Sequence, residues 1–195
     1  MRRRRPGDCG VQEAPGQSAD DQGPEEDDGS LTEISVKVNG RARKRMVKDN
    51  ELLLDFLRDR LDVRSVKAAC WRGECGLCTV KLGDHLVKSC LVLAVEADGK
   101  EVKTVEGISD GGALAPIQEA FVSHGAAQCG FCTPAWILAT HELLQTNPHP
   151  SAADLTEATS GLVCRCGTYN QIREAVAEVA EERTPRHVKE TIARR

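Results

Sequence analysis

The chain has 195 residues, of which 40% are hydrophobic, 29% charged and 3% aromatic, and its formal net charge is −4. This length allows one ordinary domain or two small ones, and the acidic balance gives no indication of a nucleic-acid partner. No apolar run is long enough to span a membrane. Because aromatic residues are so few, we expect a core built mostly from aliphatic side chains.

Nine cysteines are many for a chain of this length. A secreted protein would use them in disulfides, whereas an intracellular protein more often uses them to bind metal. Residues 2–5 are all arginine, but Pro6 and Gly7 follow them in place of the apolar stretch of a signal peptide, which also argues against twin-arginine export. Eight of the cysteines fall into two compact groups. We therefore predict a cytoplasmic protein that binds metal.

Both ends of the chain are predicted to lie outside the folded body. Residues 1–30 are rich in Gly, Pro, Gln and acidic residues and contain almost nothing apolar to bury, which is typical of a disordered tail. Cys9 lies alone in this tail and is not expected to be a metal ligand. Residues 184–195 are charged and are predicted to form a C-terminal tail.

Strand and helix patterns follow in residues 31–107. Ile34, Val36 and Val38 alternate with polar residues, which predicts a strand, and Asn39-Gly40 is a hairpin turn signal before a second strand over residues 42–47. A helix is then predicted from apolar residues at helical spacing, namely Leu52, Leu53, Phe56, Leu57 and Leu61. Further strands are predicted over 79–82 and 102–105. Together these elements predict a β-grasp domain, the plant-ferredoxin arrangement.

The first cysteine group interrupts this domain. Cys70, Cys75 and Cys78 follow the spacing C-x4-C-x2-C, and Cys90 comes shortly after them. This is the plant-type ferredoxin pattern for one [2Fe–2S] cluster, and thiolates are soft ligands that suit such clusters. A structural zinc site more often shows two short Cys or Cys/His pairs. The spacing therefore favours an iron–sulfur cluster in this loop.

After residues 107–112, which are predicted to be a linker, the apolar period becomes helical. Thr133-Pro134 predicts a helix start with Thr133 as N-cap and Pro134 in the first turn, and Ser151 with Asp154 resembles a capping box. Two further helices are predicted around Ile117 and around Ile172. Four helices of this length predict a small four-helix bundle over residues 108–183, and the whole chain is therefore predicted to be α+β.

The helical half carries the second cysteine group, whose members precede predicted helices. Cys129 and Cys132 form a C-x2-C pair, and Cys164 and Cys166 form a C-x-C pair. Helix N-termini present free N–H groups and the positive end of the helix dipole, which would stabilise thiolates and an anionic cluster. A four-cysteine zinc site has similar spacing. The residues alone leave zinc and [2Fe–2S] equally open for this group.

Two longer motifs resemble a known family. The stretches Gln128-Cys-Gly-Phe-Cys-Thr-Pro134 and Cys164-Arg-Cys-Gly-Thr-Tyr169 are similar to the iron–sulfur subunit of the molybdenum hydroxylases, the xanthine oxidase family. Gly73-Glu-Cys-Gly76 and Lys88-Ser-Cys90 match in the first loop. The resemblance covers residues 31–180. Three places depart from the family pattern, which leaves the subfamily open. Ala135 stands where the family often has glycine, and Gly167-Thr168 stands where it commonly has Thr-Gly. The third departure is Trp71.

The resemblance implies a cofactor for each group and a place in a larger complex. It implies that the first group holds a [2Fe–2S] cluster nearer a flavin and that the second group holds one nearer a molybdenum cofactor. It also implies that Gln128 and Cys166 adjoin the pterin of that cofactor. The implied partners are a large molybdenum-cofactor subunit and a medium FAD subunit in a dimer of heterotrimers, because 195 residues cannot contain those domains as well.

On this interpretation the chain transfers electrons from molybdenum through two clusters to FAD and has no catalytic residue of its own. The alternative hypothesis is a free-standing ferredoxin-like or zinc-binding module. The substrate stays open among purines, aldehydes, N-heterocycles, carbon monoxide and aromatic thioesters, because substrate recognition would lie in the large subunit.

Overall fold

The fold combines one mixed sheet with five helices in a computed structural model that describes residues 30–109 and 112–182. The predicted C-terminal tail and all of the predicted N-terminal tail except Ser30 lie outside the described residues. The elements in chain order are β1 (Leu31–Val38), β2 (Arg41–Lys48), α1 (Leu53–Asp55), β3 (Thr79–Leu82), β4 (His85–Lys88), β5 (Glu101–Lys103), α2 (Pro116–Ser123), α3 (Thr133–Thr146), α4 (Ala152–Thr159) and α5 (Tyr169–Glu182). The α+β prediction is therefore confirmed.

The sheet has the strand order β2-β1-β5-β3-β4. β1 and β2 form the predicted antiparallel hairpin, with Asn39 and Gly40 both at positive φ in its turn. β5 pairs in parallel with β1 and antiparallel with β3, so the hairpin β3–β4 extends the same sheet. The alternating residues of β1 are buried on one face, as their period of two requires. The β3–β4 hairpin of this sheet places Cys78, just before β3, near Cys90, just after β4.

Two predicted elements of the first half differ in the structure. The helix begins as one α-turn at α1 and continues as a π-helix over Phe56–Arg60, and it buries Leu53, Leu54, Phe56 and Leu57 completely. The last strand ends at Lys103 rather than at residue 105. Buried Thr104 bonds to the Asn39 amide through its backbone N–H and its hydroxyl, and these contacts lead the chain out of the sheet.

The second half contains the four predicted helices. α2 packs against α5 and α3, and α3 also packs against α4. Their shared core contains the aliphatic residues that the helical period predicted, including Ile117, Ile172 and Val176. Within the described residues, no helix is both long enough and apolar enough to cross a membrane. The four helices thus share one core, which also includes Leu77 from the first half of the chain.

The structure tests the two predicted helix starts. The capping box of α4 is confirmed, because the Asp154 backbone N–H donates to the Ser151 hydroxyl at 3.2 Å and the Ser151 N–H donates to the Asp154 carboxylate at 2.8 Å. The N-cap predicted at Thr133 is wrong. Cys132 occupies that position, and the Thr133 hydroxyl is buried without a hydrogen-bond partner in the described part of the chain. α3 thus begins directly at a predicted ligand.

Candidate metal centres

The first cysteine group lies where the β3–β4 hairpin opens. Cys78 immediately precedes β3, and Cys90 lies in the 3-10 turn that follows β4. Because Thr79 pairs with Lys88 across the hairpin, these two cysteines are brought together at its open end. The Ser89 hydroxyl and backbone N–H both bond to the Cys78 carbonyl, at 2.8 and 3.2 Å. The sheet therefore fixes two of the four cysteines, and both of these are buried.

The other two cysteines depend on a tightly curled loop. Trp71, Gly73 and Gly76 have φ values of 58°, 75° and 70°, so the chain reverses its curvature repeatedly over these few residues. A side chain at position 73 would meet Leu91, since a Cβ there would lie 2.4 Å from the Leu91 Cδ1 atom. Glycine at this position allows the loop to lie directly on the turn that carries the fourth cysteine.

Backbone N–H groups of this loop point at sulfur. The N–H groups of Arg72 and Cys75, followed by the Cys75 thiol, lower the pKa of Cys70 to about 6. The Cys75 N–H lies 3.4 Å from the Cys70 sulfur. Burial instead raises the pKa of Cys78 to about 11. At its exposed side the loop thus has N–H donors that would stabilise a thiolate. At its base it has a buried thiol whose charged form is disfavoured.

The second cysteine group joins two helix starts that are far apart in sequence. Cys132 is the buried N-cap of α3, and exposed Cys129 lies just ahead of it. Buried Cys164 and exposed Cys166 immediately precede α5. As predicted, both pairs lie ahead of helices. The packing of α3 and α5 into one core brings them together.

Tyr169 and Thr168 fix the position of Cys164. The Cys164 N–H donates to the Tyr169 hydroxyl at 2.9 Å, and this hydroxyl donates to the Cys164 carbonyl at 3.2 Å. The Thr168 hydroxyl lies 3.2 Å from the Cys164 sulfur. The Tyr169 ring meets Trp136 of α3 edge to face, with the ring centroids 5.7 Å apart. The sequence showed Thr168 and Tyr169 as part of a motif but did not predict these roles.

The cysteines of the second group also differ in the direction of their pKa shifts. Burial tends to raise the pKa of Cys164, but the Thr168 hydroxyl and backbone N–H groups outweigh it and lower that pKa to about 7. The Phe131 N–H and the Cys166 thiol lower the pKa of Cys129. Burial raises the pKa of Cys132 to about 12. Each group therefore contains at least one cysteine with a lowered pKa and one buried cysteine with a raised pKa.

Within each group the cysteines lie in hydrogen-bonded pairs. These pairs are Cys70 with Cys75, Cys78 with Cys90, Cys129 with Cys166, and Cys132 with Cys164. All eight are free thiols rather than disulfides. Over residues 30–109 and 112–182, no three His, Cys, Asp or Glu side chains are grouped so that they could hold one metal ion. Gln128 is exposed beside Cys129, and Cys9 lies outside the described residues.

Both halves of the chain match known protein families. Residues 36–107 match the family of 2Fe-2S iron-sulfur cluster binding domains, and residues 104–177 match the [2Fe-2S] binding domain family. The chain is 47% identical over 146 residues to the nicotine 6-hydroxylase small subunit of Paenarthrobacter nicotinovorans, a match that covers 75% of this chain and 88% of that protein. The chain belongs to the iron–sulfur small subunits of the molybdenum hydroxylase family.

Other members of this family agree with the assignment. The subunit is 41% identical to the nicotinate dehydrogenase small FeS subunit of Eubacterium barkeri, over 76% of this chain and 94% of that protein. Among solved structures, a chain of quinoline 2-oxidoreductase from Pseudomonas putida 86 is 39% identical with a TM-score of 0.74, and the match covers 77% of the subunit and 94% of that chain. The first half is thus ferredoxin-like, and the resemblance seen in the sequence is confirmed.

The residues of the subunit fit the cofactor that these families bind. [2Fe–2S] clusters are held by four cysteine thiolates, and each half of the subunit supplies four free thiols, which lie in two pairs. The N–H groups directed at the sulfurs of Cys70 and Cys129 suit an anionic cluster. The candidate ligands are thus all cysteines in both groups.

Proposed function

We propose that this subunit carries electrons between a molybdenum-cofactor subunit and an FAD subunit of a hydroxylase complex. The observation that supports the proposal is that one chain carries two groups of four free cysteines, joined by direct backbone contact. The Val163 N–H donates to the Cys75 carbonyl at 3.1 Å, and Val163 is the residue before Cys164. A chain that conducts electrons and performs no acid–base chemistry needs one-electron sites placed in series.

In this proposal each group of four cysteines holds one [2Fe–2S] cluster. The first group is Cys70, Cys75, Cys78 and Cys90, and the second is Cys129, Cys132, Cys164 and Cys166. The four thiolates of each group would supply the all-cysteine ligand set that such a cluster takes. When bound, the clusters supply one-electron redox chemistry.

The chain's own residues would tune the reduction potentials. Hydrogen bonds to the sulfurs and exclusion of solvent are the means by which a protein sets the potential of such a cluster. At the first site these are the N–H groups of Arg72 and Cys75 and the burial of Cys78. At the second site they are the Thr168 hydroxyl and the burial of Cys132. The two sites therefore need not have the same potential.

We further propose the arrangement of the complex. The ferredoxin-like β-grasp domain of residues 31–107 would face FAD, and the helical domain of residues 108–183, arranged as a four-helix bundle, would face the molybdenum cofactor. Exposed Gln128 and Cys166 would contact the pterin. The complex would be a cytoplasmic dimer of heterotrimers. Several relatives have names that include different substrates, such as nicotine, nicotinate and caffeine, so no substrate is assigned from this chain.

The test uses the assembled complex, mixed with its substrate in a stopped-flow instrument without oxygen. We expect visible absorption of the iron–sulfur clusters to bleach before the flavin is fully reduced. Flavin reduction without any change in the clusters would contradict the proposal.

A Gln128→Ala complex tests the pterin contact in the same experiment. We expect slower reduction of the second cluster by substrate and an interaction weaker by about 1–3 kcal/mol, from one amide contact left unmade. Reduction of this variant by dithionite should be normal. Turnover equal to that of the unmodified complex would contradict the contact.

A further inference from the structure

The two cysteine groups are tied together by backbone contacts that leave little room for adjustment. In addition to the bond between Val163 and Cys75, Gly76 lies against the chain that leads to the second group. A Cβ at position 76 would lie 2.1 Å from the Gly161 carbonyl oxygen and 2.7 Å from the Leu162 Cδ2 atom. Hence the loop of the first group and the segment before Cys164 meet backbone to backbone. This contact is the junction between the two halves.

An ion pair connects the same two halves at a second place. The Lys81 ammonium lies 2.6 Å from the Glu142 carboxylate, and the two side chains are only 26% and 13% exposed. Lys81 lies in β3, which begins directly after Cys78, and Glu142 lies in α3, which begins directly after Cys132. The pair therefore joins a strand that starts at a first-group cysteine to a helix that starts at a second-group cysteine.

Partial burial makes this pair stronger than an ordinary surface pair. The attraction between opposite charges rises as the surrounding dielectric constant falls, whereas exposed pairs contribute little. The pair Lys37–Glu101 provides a comparison within the same sheet, since its atoms are 3.5 Å apart and its side chains are 52% and 48% exposed. It joins β1 to β5 and does not cross to the helical half. Loss of the Lys81–Glu142 pair should therefore affect the relative position of the halves, and loss of Lys37–Glu101 should not.

We propose that Lys81 and Glu142 are positioning residues for electron transfer between the two sites: their ion pair holds β3 against α3 and keeps the junction closed. The inference rests on the proposed function. In the step concerned, one electron passes from the reduced [2Fe–2S] donor at the second group, which is oxidised, to the [2Fe–2S] acceptor at the first group, which is reduced. No bond is made or broken, and no proton moves. The rate of such a step falls steeply with separation, so a looser junction slows it without altering either site.

The test compares Glu142→Gln with the matched control Glu101→Gln in the full chain carrying both clusters. Each substitution removes the negative charge from one lysine–glutamate pair at nearly constant size. In the fully reduced protein, magnetic interaction between the two clusters splits their EPR signals, and this splitting decreases with the cube of their separation. We expect a smaller or broadened splitting in Glu142→Gln, with unchanged iron content and g values. The control should reproduce the splitting of the unmodified protein.

Two further variants distinguish positioning from general stability. Lys81→Met should reduce the splitting in the same way and gives a second measurement that does not depend on how well Glu142→Gln folds. The charge-swapped double variant Lys81→Glu with Glu142→Lys should restore the splitting. An unchanged splitting in Glu142→Gln and Lys81→Met, or an equal loss in Glu101→Gln, would overturn the inference. Absence of two clusters from the unmodified protein would instead contradict the proposed function itself.

Discussion

The two cysteine groups are assembled in different ways. All members of the first group lie within residues 70–90, in one curled loop and the hairpin that closes it. The second group takes one pair from the start of α3 and the other from just before α5, with α3 and α4 between them in sequence. The first group is therefore defined mainly by local backbone geometry, and the second depends on the packing of whole helices.

This difference also appears in the contacts around sulfur. In the first group, N–H groups two to five residues away in the loop bond to the Cys70 sulfur. In the second group, Cys164 is fixed by the side chains of Thr168 and Tyr169, and Tyr169 in turn packs on Trp136 of another helix. Substitutions in the helical core should therefore damage the second site selectively, whereas the first site should respond mainly to changes in its loop.

The largest effect should come from removing one ligand in each group. Cys75→Ser should abolish one of the two EPR signals of the reduced protein and leave the other, and Cys132→Ser should do the reverse. Because metal binding is coupled to folding, and Cys132 begins α3, only the second substitution should also lower the thermal stability of the helical half. Cys9→Ser is the control, and loss of either signal in that variant would show that the ligand assignment is wrong.

A pair of glycine substitutions tests how far local geometry defines the first group. Gly76 and Gly83 both have positive φ, so alanine costs about 1–2 kcal/mol at either position. Only at Gly76 would the new Cβ also overlap the Gly161 carbonyl, while no atom lies within 4 Å at Gly83. We expect Gly76→Ala to lose iron from the first site and Gly83→Ala to retain both clusters. Equal iron contents in the two variants would show that the close contact is not required.

Tyr169→Phe tests the dependence of the second group on side chains. The substitution keeps the ring against Trp136 but removes the hydroxyl that bonds both backbone groups of Cys164. We expect a loss of about 0.5–1.5 kcal/mol in stability. A redox titration followed by EPR should also show a shifted potential for one cluster only. A shift in both potentials, or in neither, would contradict the separation between the groups.

The smallest effect should come from the start of α4, which lies away from both groups. Ser151→Ala removes the N-cap of α4 and should cost about 1 kcal/mol in unfolding free energy without changing either EPR signal. Ser160→Ala, at the other end of α4, serves as the control and should have little effect, because its hydroxyl bonds to the Glu157 carbonyl of the preceding turn.

The same cap predicts a pH dependence. Hydrogen bonds from the Ser151 N–H and from its hydroxyl hold the pKa of Asp154 below its usual value of 3.8. The stabilisation is therefore fully present above that value and is lost as the pH falls through the lowered pKa. Chemical unfolding at neutral and acidic pH should show the difference between unmodified protein and Ser151→Ala shrinking in acid. A difference that grows in acid would contradict this sign.

The sequence predicted the elements whose signals are local. The β1–β2 hairpin, the capping box at Ser151 and the four later helices follow from short-range patterns, and the structure contains each of them. The errors arose where tertiary contacts decide. β5 ends early where Thr104 bonds to the Asn39 amide, and Cys132, which lies beside Cys164, has the N-cap position predicted for Thr133.

The candidate sites divide in the same way. The spacing of Cys70, Cys75 and Cys78 predicted one site from residues alone, because a single loop must bring them together. The residues of the second group left zinc and [2Fe–2S] open, and only the resemblance to a family separated them. Tyr169 was not predicted as a support of Cys164, since a hydrogen bond between its hydroxyl and that backbone depends on the turn before α5.

Metal and sulfide analysis of anaerobically purified protein tests most directly whether both groups bind [2Fe–2S] clusters. Two such clusters predict about four irons and four acid-labile sulfides per chain and a red-brown colour. The reduced protein should then show two distinct EPR signals. Stoichiometric zinc without visible absorption, or iron for a single cluster in the fully folded protein, would contradict the binding of two clusters.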